Sequence, residues 1–253
     1  MDKIASRIKY FRNRAGLSQM QLELEIEAAF GSISRMEAGK VNPTKETLLR
    51  IATVLSLSDR ELDYLIGPSS SPATINEIDA AQKEVKEYFA KKGVMAYLVD
   101  DRYRLIAFSD SFAKLFRVKD ERIKEEVILK TLPELLLDES YIVSQFFQAD
   151  LEHNLELLLG RFQNEMGFMH DDPYYQKIMN LITNHKQANM IWEKISSNNK
   201  SLYARGDRVV HFNVLGQKFE MHYANEPLQK YKRFDIVEYI PNNWFVKMFW
   251  HLF

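Results

Sequence analysis

Apolar residues recur at helical spacing from the start of the chain: Ile4, Ile8, Phe11 and Ala15 fall on one stripe. Ser18 then stands where it can cap a second helix, with Gln21 three residues on as its reciprocal partner. A third helix is predicted from about Ala29 to Ala38, ended by Gly39, a residue suited to the left-handed position after a helix. Thr44 caps a fourth, whose inward face is Leu48, Ile51, Ala52 and Leu55. Ser58 and Glu61 form a capping box for a fifth, with Leu62 and Leu65 turned inward.

The pattern breaks at Gly67-Pro68-Ser69-Ser70-Ser71-Pro72-Ala73, a run that stops helices and favours loops. The predicted organisation is therefore a first domain at 1–66, a linker at 67–74 and a second domain at 75–253. The second domain opens with a helix over about Ile75–Lys92. Met95–Val99 and Arg104–Phe108 read as strands joined by a turn at Asp100-Asp101-Arg102. Ser109 can cap a helix carrying Phe112, Leu115 and Phe116. Long helical patterns follow at about Tyr141–Arg161 and Tyr174–Ile195. Three late segments look β: Val209–Val214, Lys218–Tyr223 and Phe234–Ile240, with Leu215-Gly216-Gln217 as a hairpin turn between the first two. The expected fold class is an all-α five-helix head followed by an α+β tail with an antiparallel sheet and long helices.

Composition narrows the function classes. The chain has 253 residues, of which 46% are hydrophobic and 27% charged, enough apolar material for a real core. Its net charge of −1 advertises neither nucleic acid nor membrane, so any such role must come from a local patch. Cysteine is absent, which removes disulfides, thiol nucleophiles and thiolate metal sites and fits a reducing cytoplasm. No apolar run approaches the ~20 residues of a spanning helix, and no secretory signal opens the chain. A cytoplasmic protein with no membrane partner is expected.

The first domain carries a motif. Leu17-Ser18-Gln19, Leu22, then Ser32-Ile33-Ser34-Arg35-Met36-Glu37-Ala38-Gly39-Lys40 and Asn42-Pro43 resemble the Xre/Cro-type helix-turn-helix family over about residues 1–66. The resemblance implies a DNA-binding transcription regulator. Leu22, Ile33 and Met36 would form the buried seam of such a motif, and the outer side of the second helix would enter the major groove. The candidate DNA contacts are Ser18, Gln19, Ala29, Phe30, Gly31, Ser32, Ser34, Arg35, Lys40 and Asn42. Among them Arg35 best suits a base edge, because a guanidinium grips guanine O6 and N7 with two bonds. Lys3, Arg7, Lys9, Arg12 and Arg14 supply five further cations, some of them available to phosphates. Two residues depart from the family pattern. Glu23 stands where a small residue is usual, and Glu27 stands where glycine usually turns the chain. With Glu25 they also allow a second reading, in which the helical domain serves protein contacts alone.

In the second domain, Ala96–Asp100 followed by Leu105–Phe116 resembles the opening of a PAS-type sensor, where two strands lead into short helices that wall a cavity. Ala188–Glu193 and Gly216–Tyr223 are similar to the ligand-binding domain of MmyB-like regulators. The resemblance implies a small apolar ligand, fatty-acyl-like or otherwise, and Tyr97, Phe108, Phe112, Phe116, Trp192, Met221 and Tyr223 are candidate pocket walls. The same side chains could equally fill a core. A homodimer on duplex DNA is expected. The alternative is an antitoxin-like or phage-like repressor whose tail binds another protein and no small ligand.

Other chemistry is not written in the sequence. The six histidines show no metal-binding spacing, and neither a phosphate loop nor a nucleophile elbow occurs. No enzyme, cofactor or metal is expected. His211 and His222 are read as a structural pair across the hairpin. Asn243–Phe253, rich in Trp and Phe, is read as an aromatic C-terminal helix that docks on its own domain, on a second subunit or on a membrane surface, the last disfavoured by its lack of a cationic face.

Overall fold

The computed structural model describes residues 3–92, 94–198, 201–214 and 216–242. The C-terminal aromatic segment lies outside them. The chain divides into two compact units, one of residues 1–72 with 168–172, the other of 73–167 with 173–253.

The first unit holds five helices: α1 (Lys3–Arg14), α2 (Gln19–Glu25), α3 (Ser32–Glu37), α4 (Lys45–Val54) and α5 (Asp59–Ile66). The capping residues sit as their spacing predicts. Ser18 caps α2 and Ser58 caps α5, each in a full capping box, and Thr44 caps α4. Ile8, Phe11, Leu22, Ile33, Ile51 and Leu65 form the core. The proline- and serine-rich run forms a short 3₁₀ turn at Pro68–Ser70 within this unit. Ser70 and Tyr64 supply backbone carbonyls at 3.0 and 2.7 Å to the buried Arg7. The chain returns to this unit at Phe168–Asp172. There Asp171 accepts bonds from Arg7 Nε (3.1 Å) and Tyr64 Oη (2.6 Å), while Phe168 packs on Phe11 and Tyr64. Burial pushes the Tyr64 hydroxyl far up, and its bond to Asp171 reinforces that.

The second unit begins with α6 (Ile75–Lys92), capped by Thr74, whose hydroxyl and amide engage Glu77. Strands β1 (Met95–Asp100) and β2 (Leu105–Phe108) follow, then α7 (Asp110–Leu115), α8 (Glu121–Val127) and α9 (Leu132–Leu137). Two 3₁₀ turns lead into α10 (Leu151–Met166), α11 (Pro173–Asn184) and α12 (Lys186–Asn198). Strands β3 (Val209–Val214), β4 (Gln217–Pro227) and β5 (Phe234–Pro241) complete an antiparallel sheet in the order β2-β1-β5-β4-β3. Side chains alternate across this sheet. Ala96, Leu98 and Ile236 pack against Ile78, Ala81, Val85 and Phe89 of α6. Tyr97, Val210, Tyr223 and Tyr239 point to the other face, where α9 and α10 lie.

Three expectations about elements need correction. The helical pattern over 141–161 is broken: two 3₁₀ turns occupy 142–150, and Asp150, at φ −148°, starts α10 afresh. The pattern over 174–195 is two helices, because the His185 ring accepts the amide of Ala188 and so caps α12. The third helix begins at Ser32 rather than Ala29, since Gly31 takes a left-handed conformation at φ 76°.

Candidate nucleic-acid interface and ligand cavity

The α2–turn–α3 segment is built from inside outward. Leu22, Ile33 and Met36 are buried, so the two helices are pinned along the expected seam. Glu27 takes the left-handed turn position at φ 53°, where a non-glycine residue carries some strain. Ser34 and Arg35 are exposed on the outer side of α3. The Arg35 side chain makes no hydrogen bond or ion pair with the described residues, its backbone alone bonding Gly31 and Lys40. Lys40 and Asn42 are exposed just beyond the helix. Ala29 and Phe30 precede α3 and lie in the turn, where Phe30 is 83% exposed. Ser18 is exposed and uses its hydroxyl oxygen to accept the Gln21 amide. Gln19 is turned inward: its Nε2 donates to Glu37 at 2.7 Å.

The cations of α1 divide differently from the sequence expectation. Arg7 and Arg12 are interior ion-pair partners, unavailable to phosphates. Arg12 grips Glu37 through Nε (2.6 Å) and Nη2 (3.0 Å) and also reaches the Leu17 carbonyl. Arg14 pairs with Glu61, whose carboxyl is opposed by burial but held low by Arg14 and Ser58. Lys3 and Lys9 remain exposed.

Glu23 is the functional residue that sequence reasoning missed. It does not face solvent beside Glu25 and Glu27. It is buried, and its two carboxylate oxygens accept the amides of Gly31 (3.0 Å) and Ile33 (2.9 Å). A negative side chain therefore closes the amino end of α3, where orphan amides and the helix dipole favour it. The sequence hides it, because Glu23 is one of three acids at alternate positions with Glu25 and Glu27.

The second unit holds a half-open cavity of ≈ 100 Å³ between the tyrosine-bearing face of the sheet and α9 and α10. Leu132, Leu135 and Leu136 of α9 and Leu157 and Leu158 of α10 form most of its apolar wall. Of the expected wall residues, Tyr97, Phe112 and Tyr223 line it. The other four do not. Phe116 is fully buried among Phe112, Phe146, Phe147 and Phe212; Phe108 stacks on Phe112; Trp192 tilts against Phe162; and Met221 packs inside the sheet face.

Polar groups at the cavity are few. Asn154 is spent on backbone, donating to the carbonyls of Phe147 and His211 and accepting the His211 amide. Arg161 is buried and binds both oxygens of Glu165 at 3.1 Å, with Asp235 at 3.5 Å. Burial raises the Tyr97 hydroxyl, opposed by Arg161 and by a bond from Tyr239; burial also raises Tyr223 and Tyr239.

The histidine pair expected across the hairpin is not formed. His222 is exposed and lies opposite Val209, whereas His211 stacks on His153 at 4.0 Å and bonds Asp150 at 2.6 Å. Asp171, beside His170, is committed to Arg7 and Tyr64. Among the described residues no group of three acids or histidines could hold a metal ion, and no helix is long and apolar enough to cross a membrane.

Comparison with known families agrees with the geometry of the first unit. Residues 8–62 match the helix-turn-helix family model. That segment is a helix-turn-helix domain of the Xre type, the kind of domain that DNA-binding transcription regulators carry. No curated protein matches the chain.

Proposed function

We propose that this chain is a sequence-specific transcription regulator that reads operator DNA through the outer side of α3 and is tuned by a small apolar ligand held in its second unit. The observation that carries the reading is the division of α3 itself. Ile33 and Met36 anchor it inward, while Ser34 and the uncommitted Arg35 face out. A short helix so braced, within a matched helix-turn-helix segment, suits the major groove. Arg35 supplies base readout, and Lys40, Asn42 and the exposed hydroxyl of Ser18 supply backbone contacts that fix register. One such helix touches few base pairs, so two copies reading half-sites ~34–36 Å apart are the natural arrangement.

The tail's part in the proposal rests on its cavity. Strands β1 and β2 lead directly into short helices, and a mostly apolar space with a few polar groups lies behind them, as a PAS-like sensor requires. A ligand there alters DNA affinity only by its preference for one arrangement of the protein over another. Selection of bound duplexes from a random pool with the full chain tests the head. The expected result is a short enriched sequence repeated as two half-sites. A pool that emerges unenriched overturns the proposal.

A further inference from the structure

The cavity's polar inventory restricts what can occupy it, an inference that rests on the sensing role proposed for the second unit. One cation, Arg161, lines the space, and two of its nitrogens are already taken by carboxylates. Glu165 takes its Nε with both oxygens, and Asp235 stands at Nη2. Glu165 is in turn fixed by the hydroxyls of Tyr103 (2.9 Å) and Tyr203 (3.2 Å), so it is not free to swing away and release the guanidinium. Two carboxylates face this guanidinium, so an anion entering the cavity finds it already paired. Burying an uncompensated carboxylate is among the costliest events in a protein interior.

The remaining polar surface belongs to tyrosines. Tyr223 lines the cavity with 8% exposure, and its hydroxyl has no hydrogen-bond partner among the described residues. Tyr97 and Tyr239 lie beside it on the same sheet face, paired through β4, β5 and β1. Asn154 has no donor hydrogen left to offer. What the site presents is thus a mostly apolar wall of leucine and phenylalanine side chains, the tyrosines of the sheet with the Tyr223 hydroxyl able to donate or accept, and a lining guanidinium already paired with carboxylates. Its volume of ≈ 100 Å³ is of the order of engineered apolar cavities that admit benzene.

We infer that the second unit's cavity is a site for a small neutral molecule, a single aromatic ring or short aliphatic bearing one hydroxyl or carbonyl that bonds Tyr223, and that it excludes carboxylates of the same shape. The sheet's tyrosines give such a ligand its orientation, and the leucines of α9 and α10 give it affinity.

Calorimetric titration of the full chain at neutral pH with 4-methylphenol, toluene, 4-methylbenzoate and decanoate tests this. The expected result is binding of 4-methylphenol at least tenfold tighter than 4-methylbenzoate. Tyr223→Phe should weaken 4-methylphenol several-fold and leave toluene unchanged, and Leu157→Trp should abolish both by filling the space. Since the tryptophan variant risks misfolding, the Tyr223→Phe comparison alone decides the hydroxyl contact. Equal or tighter binding of 4-methylbenzoate or decanoate overturns the neutral-ligand inference while leaving the sensing role intact. Failure of all four probes to bind overturns both.

Discussion

Glu23 and Gly31 together decide where α3 begins. Gly31 holds φ 76°, a conformation that costs a side-chain-bearing residue roughly 1–2 kcal/mol. Glu23 satisfies two amides that follow from that start. Glu23→Ala should therefore lower the stability of the first unit by about 1–2 kcal/mol, read in urea unfolding, because the buried Ile33 amide and the half-buried Gly31 amide lose their acceptor. Phe30→Ala, at an exposed turn residue, should leave that stability unchanged. If the two variants unfold alike, the capping role of Glu23 is wrong. In the second unit, burial raises Asp150, and its bonds from Lys218 and His211 outweigh that and hold it down to about 2. A carboxyl depressed on folding stabilises fully above its unfolded value near 4 and loses that contribution as pH falls toward 2. Thermal melts across that window should show Asp150→Asn less sensitive to acid than the parent chain. Parallel acid profiles would dismiss the contribution.

At the scale of elements, hydroxyl caps made the helices legible. Ser18, Thr44, Ser58 and Ser109 each stand in the sequence immediately before a periodic run, and each caps a helix. Helices α8 and α9 follow the same rule, with Asp120 as one cap and Thr131 with Glu134 as a capping box, yet their runs of six or seven residues are too short to show periodicity. Strand pairing was legible from alternation, as in β4, where Phe219, Met221 and Tyr223 are buried between exposed neighbours. Breaks made by long-range contacts were not. Asp150 interrupts a helical pattern while bonding His211, 61 residues away. In the α2–turn–α3 segment, the exposed placement of Arg35 is legible from motif spacing. Glu23 is not, because its partners lie across the turn and local sequence shows only one acid among three. Gly31→Ala should destabilise the first unit by about 1–2 kcal/mol even though no atom lies within 4 Å of the added methyl. A neutral result in unfolding experiments would mean that the left-handed start of α3 is not required.

At the scale of the molecule, the first unit is not one continuous stretch. Its core includes Phe168, and its buried Arg7 depends on Ser70 and Asp171. A fragment ending at residue 66 discards those partners and leaves an interior guanidinium short of acceptors. Breaking such a pair costs several kcal/mol when fully buried. Asp171 keeps 25% of its side-chain exposure, so Asp171→Ala in the full chain should cost about 2 kcal/mol. Chemical unfolding should place the 1–66 fragment below that variant. A fragment as stable as the intact unit would show that Phe168–Asp172 contributes nothing.

The proposed DNA recognition turns on Arg35 reading a base from the outer side of α3. The direct measurement is the affinity of the wild-type chain and Arg35→Ala for an operator and for each of its single-base variants, at one salt concentration. The predicted outcome is loss of about 1–3 kcal/mol of discrimination at one base pair per half-site, with discrimination elsewhere preserved. Identical profiles for the two proteins would contradict it.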